Sequence, residues 1–138
     1  MALVEMVIDS VRQAIVLNEW VVLLKEKLGQ RFLPVYLGEP QAKEIKQALK
    51  NEPIRESLDD DLSLMGINAV SSEVKVVSLI INEFDGNTFH AKLLLTYHSR
   101  SGEFACPVIK ALTLVMRAGA SIFAEERVLA EAGVLGRD

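Results

Sequence analysis

Arg31-Phe32-Leu33-Pro34-Val35-Tyr36-Leu37-Gly38-Glu39-Pro40 is the stretch on which the fold turns. It reads as a strand ending in a glycine. Pro40 then stands at an early helical position, where its missing N–H costs nothing. A helix over about 40–50 follows. Ala42, Ile45, Ala48 and Leu49 keep helical spacing as its buried stripe, and Lys43, Glu44, Lys46 and Gln47 take the wet side. Asn51-Glu52-Pro53 stops it.

Upstream, residues 3–9 read as a strand with Val4, Met6 and Ile8 facing one way. The Val/Ile/Leu-rich runs 11–17 and 20–27 read as two more, joined by a tight turn at Asn18-Glu19. With 31–37 they make an antiparallel meander, mostly buried because the apolar runs are near-continuous. Downstream, a short second helix is expected from about Asp59–Asp61, carrying Leu62 and Leu64 or Met65. Residues 73–83 and 88–98 form a hairpin around Asp85-Gly86, where glycine tolerates the positive φ of such turns. Ser99-Arg100-Ser101-Gly102 turns into a short strand ending at Cys106-Pro107. A helix over 108–118, a strand over 121–124 and a helix over 125–132, closed by Gly133, complete the chain. Antiparallel strands and hairpins with inserted helices, and no linker or repeat, predict one compact α+β domain spanning residues 1–138.

A chain of 138 residues, half of them hydrophobic and a quarter charged, is long enough to bury a real core. Its mean hydropathy of +0.24 is high for a soluble monomer and points to a homo-oligomer, a dimer or higher. The formal net charge is −4. Without a Lys/Arg cluster, this counts against tight binding of long DNA and leaves nucleic acid as a weak partner. The lone Cys106 needs no oxidising compartment. There is no signal-peptide pattern, and every apolar run falls far short of the roughly 20 residues a membrane helix needs. These features predict a cytoplasmic protein with no membrane partner.

Asp59-Asp60-Asp61 is the strongest acidic cluster. Carboxylates of this kind hold Mg²⁺ or Mn²⁺ in metal-dependent nucleases, though at a helix start at most two of the three can share an ion. The competing reading is a helix cap, in which Asp meets free N–H groups and the positive end of the dipole. On the otherwise apolar helix 108–118, Lys110, Thr113 and Arg117 make one narrow polar stripe, fit either to meet phosphate or simply to reach water. His90 and His98 share a strand face about 26 Å apart by strand rise, too far to share a ligand. They read as solvent-exposed. Cys106 has no nearby histidine to activate it.

In order along the chain, Ile8-Asp9-Ser10-Val11, Arg31 to Gly38, Asp85-Gly86-Asn87-Thr88-Phe89 and Gly119-Ala120-Ser121-Ile122-Phe123 resemble the bacterial bifunctional nuclease domain family. The resemblance spans nearly the whole chain. It implies hydrolysis of phosphodiester bonds in DNA and RNA with a divalent metal, Mg or Mn. If the site is active, the candidates for its chemistry are Asp60 and Asp61 as the catalytic, metal-facing carboxylates, with Lys110 and Arg117 contacting nucleic-acid phosphate. Leu58, Asp61 and Leu62 match a Pro-Leu-Thr-His-Asp-Leu segment of the family, while Asp59 and Asp60 replace its Thr and His. Where the family has Arg-Pro-Ser-Asp at a helix start, Ile109 holds the Ser position and Lys110 the Asp position. Gln41 stands where Glu is expected and cannot ionise. A charge-swapped but complementary site explains these letters, and so does a degenerate one. The alternative function is therefore a non-catalytic oligomeric binding or scaffolding module of the same fold.

Overall fold

A computed structural model describes residues 2–13, 19–50, 75–86, 88–97 and 100–135. The expected helix near 59–61, the Asp59-Asp60-Asp61 cluster and His98 lie outside the described residues. The class is α+β, as the sequence predicts, with eight strands in one mixed sheet and three helices among the described residues.

β1 (Leu3–Gln13), β2 (Trp20–Glu26) and β3 (Arg31–Leu37) form the antiparallel meander. One correction concerns β1. It is a single strand running through residues 9–11, where the sequence reads as two. Its pairing with β2 shifts register between Ile8 and Ser10. A bulge of one residue at Asp9 swaps the inward and outward alternation, so the two halves fall out of phase and look like separate elements.

α1 (Glu39–Leu49) starts one residue before Pro40, which stands in its first turn as expected, and buries Ala42 and Ile45. Ala48 is only half-buried and Leu49 is 42% exposed, so the expected stripe fades in the last turn. Lys46 lies on the wet side but its ammonium sits 4.6 Å from the centre of the Trp20 ring, tying α1 to β2 by a cation–π contact.

β4 (Lys75–Phe84) and β5 (Phe89–Tyr97) make the expected hairpin, and Gly86 has φ 94. Phe89, Ala91, Leu93 and Leu95 face the core while His90 and Lys92 face water. β6 (Arg100–Pro107) is longer than predicted. Arg100, Ser101 and Gly102 already pair with β5 instead of turning. α2 (Val108–Ala118) buries Val108, Ala111, Leu112, Leu114 and Val115 and ends at Gly119, whose φ of 66 is the left-handed conformation glycine adopts freely. β7 (Ser121–Glu125), α3 (Glu126–Ala132) and β8 (Val134–Leu135) follow.

The strand order is β6-β5-β4-β7-β1-β2-β3-β8. All pairs are antiparallel except β4 with β7. β8 was not foreseen. It pairs only with Arg31 and Phe32 of β3, and two residues are too few to carry an alternation pattern. Met6, Leu24, Leu33, Leu79, Ile81 and Leu93 form one core cluster with the buried residues of all three helices. Val7, Leu23, Ile80 and Phe123 alternate away from it and lie outside that cluster. Among the described residues no helix is long and apolar enough to cross a membrane.

Arg31 clamps the end of β2 and the start of β3 to the start of α3. Its guanidinium donates to Glu26 (Nε to Oε1, 2.8 Å) and, through Nη1 and Nη2, to both oxygens of Glu126 at 2.8 and 2.7 Å. These hydrogen bonds hold both carboxyls below their ordinary value of 4.5. A depressed carboxyl stabilises the fold fully above its unfolded value and loses that contribution as pH falls through the folded one. The urea midpoint should therefore drop below pH 4.5 more steeply in the native protein than in Arg31→Met. Equal slopes would show that the clamp adds nothing.

Candidate functional site

Three stretches far apart in sequence meet at one cleft of about 490 Å³. β3 supplies Pro34, Val35 and Tyr36. The β4–β5 hairpin supplies Phe84, Gly86, Thr88 and Phe89. Pro107, Val108 and Ile109 come from the start of α2, and Ala132 of α3 completes the lining. Because β8 pairs with β3 only at Arg31 and Phe32, the edge of β3 beyond that point has no strand beside it among the described residues. Pro34 and Tyr36 lie on that bare stretch, and Pro34 lacks the N–H that a further strand would need.

The hairpin wall is held by its turn. The Thr88 N–H donates to Asp85 Oδ1 at 2.7 Å, and the Asp85 N–H donates to the Thr88 carbonyl at 3.2 Å. Asp85 Oδ2 lies 3.0 Å from His90 Nε2. Phe84 and Phe89 flank the turn with ring centroids 4.6 Å apart. His90 itself is solvent-exposed, as expected, and its strand neighbour Phe89 turns the other way into the cleft wall.

At the start of α2 the N-cap is Pro107, whose side chain caps nothing. The first-turn N–H groups thus keep the positive end of the helix dipole uncovered by a side chain. Lys110, exposed on that first turn, has no acidic partner among the described residues. Thr113 bonds back to the Lys110 carbonyl at 3.4 Å. Arg117 is half-buried on the last turn, roughly 10 Å along the axis from Lys110 by helical rise, and outside the cleft lining. Gln41 is half-buried at the start of α1, directly after β3. Its Oε1 would lie 3.0 Å from a Cβ at Gly38, so glycine there leaves room for the amide.

Asp60 and Asp61 lie outside the described residues, so their distance to Lys110 is not part of this geometry. Among the described residues no group of three or more His, Cys, Asp or Glu side chains could hold a metal ion. Burial pushes the Cys106 thiol up to about 11, which keeps it protonated near neutral pH and matches the expectation that it is no nucleophile. Sequence reasoning missed the cleft's aromatic wall. Its one available signal was Tyr36, a large ring at an outward position of an apolar strand and 60% exposed in the fold.

Together these features define an α+β domain whose cleft is built from a bare strand edge, a hairpin turn and an uncapped helix start. The chain belongs to the bifunctional nuclease domain family, which matches residues 22–136. It is also similar to two Mycobacterium tuberculosis proteins, each called an uncharacterized protein: Rv1829 of strain H37Rv and MT1877 of strain CDC 1551. Each is 30% identical over 118 residues, covering 86% of this chain and 69% of the relative. The cleft gathers residues from the Arg31 to Gly38 stretch, from the Asp85 to Phe89 stretch and from the helix start just before Lys110.

Proposed function

We propose that the protein is a nuclease-like domain that binds nucleic-acid phosphate beside this cleft and hydrolyses phosphodiester bonds of DNA and RNA with Mg²⁺ or Mn²⁺. The observation that carries the reading is the convergence of two family-resembling stretches, Arg31 to Gly38 and Asp85 to Phe89, with the start of α2 on one cleft, next to a lysine that has no acidic partner among the described residues. Since the described residues make no metal site of their own, the reading rests on Asp60 and Asp61 as the ligands. A metal held there would polarise a phosphoryl oxygen and lower the pKa of an attacking water. Lys110 and Arg117 would contact phosphate. Lys110→Ala should weaken binding of single-stranded RNA or DNA and lower the slope of log K against log salt by about one. An unchanged slope would remove Lys110 from the interface.

A second reading is favoured by two letters of the sequence. Gln41 cannot ionise, and Lys110 stands where the family has a carboxylate. On this reading the domain is a non-catalytic oligomeric binding or scaffolding module with a degenerate site. A folded preparation that cuts no nucleic acid across several divalent metals would support it.

Both readings share a homo-oligomer, supported by Val7, Leu23, Ile80 and Phe123 on the sheet face turned away from the core. Light scattering at micromolar concentration and moderate salt should give at least the dimer mass. A monomer mass would contradict the assembly.

A further inference from the structure

Resting on the phosphate-binding reading above, we infer that the cleft receives one unstacked base of a single-stranded nucleic acid, with the phosphates left outside toward Lys110. Among the described residues no charged side chain lines the cleft, so its described walls suit a neutral group better than a phosphate. Its lining is largely apolar and rich in aromatic residues: Phe84 and Phe89, whose rings pack on each other, Tyr36 on the bare edge of β3, and Ile109. Every base offers a π-face to such rings, and the contact requires no particular base. A volume of about 490 Å³ has ample room for a base and its sugar.

Charge assigns the orientation. The positive features of this region lie on one side, at the uncapped start of α2, which forms that wall of the cleft, and in the exposed Lys110 next along the helix. A nucleotide is complementary to that layout, with a neutral ring inside and an anionic linkage at the rim. The Thr88 hydroxyl and the unpaired edge of β3 offer polar groups to the ring's edge. A duplex has its bases stacked and paired, and the net charge of −4 gives little to hold a double-stranded backbone. The site thus selects unpaired strands.

The test is fluorescence anisotropy with Ca²⁺ replacing Mg²⁺, using three probes: a short thymidine oligomer, an abasic oligomer of equal length, and the thymidine–adenine duplex. The native protein should bind the single strand on the order of tenfold more tightly than the abasic probe. Tyr36→Ala, which removes an exposed ring, should abolish that difference without changing the salt slope, and Tyr36→Phe should restore it. Equal binding of single-stranded and abasic probes, or a base preference untouched in Tyr36→Ala, overturns the base site and leaves the phosphate reading standing. Binding of the duplex as tightly as the single strand also overturns it. Binding of none of the three probes overturns the phosphate reading itself, and this inference with it.

Discussion

Asp61→Asn should lower metal-dependent cleavage by about two orders of magnitude or more, because it removes a charge from the ion that activates water. The native protein should cut single-stranded RNA or DNA in Mg²⁺ or Mn²⁺, and EDTA should stop it. Asp59→Asn is the control. On the capping reading Asn caps about as well as Asp, so this variant would change stability by about a few tenths of a kcal/mol at most and leave the rate per folded molecule unchanged. Initial rates measured at saturating metal, with the folded fraction followed by circular dichroism, separate the two effects. A rate unchanged in Asp61→Asn would leave family membership intact and show that another carboxylate serves.

The largest effect on stability should come from Leu112→Ala in α2. Leu112 is fully buried, and its helix packs on α1 and on β4, β5 and β6. With a sheet beneath and a helix beside it, the site has little freedom to collapse around the lost atoms. The expected cost is about 2–5 kcal/mol, read as a lower urea midpoint with unchanged slope. Lys110→Ala on the exposed side of the same helix should move the midpoint little. A loss under about 1 kcal/mol at Leu112 would mean that this helix is not wedged into the core as described.

What could be read in advance follows from how local each signal is. The turn at Asp85-Gly86, the Pro40 helix start and the apolar helix 108–118 are each set by neighbours within a few residues, and all three appear where the sequence places them. The bulge at Asp9 and the strand β8 are decided by partners across the sheet, so no local window contains them. The cleft is less legible still. Tyr36, Phe84 and Ile109 come together only once β3, the hairpin and α2 are docked, and Phe84 and Ile109 alone look like ordinary core residues. Lys110 and Arg117 were visible as a stripe on one helix, but only the fold shows that Lys110 adjoins the cleft lining while Arg117 lies at the far end.

The place of β1 in the sheet has a consequence for how this chain comes off the ribosome. β1 lies between β2, its immediate successor, and β7, which is far along the chain: Leu3 pairs with Glu125 and Met6 with Ile122. One backbone edge of β1 must therefore wait, unpaired, until β7 has been made. Pairing over so long a separation is slow to find and exposed to wrong partners meanwhile. The span 22–136 shared with the family begins after this strand. A fragment trimmed to that span would leave β6-β5-β4-β7 and β2-β3-β8 as two sheets with a gap between them. The smallest piece able to fold as a unit is thus longer than the piece by which kinship is recognised, and the difference is the strand that joins its halves.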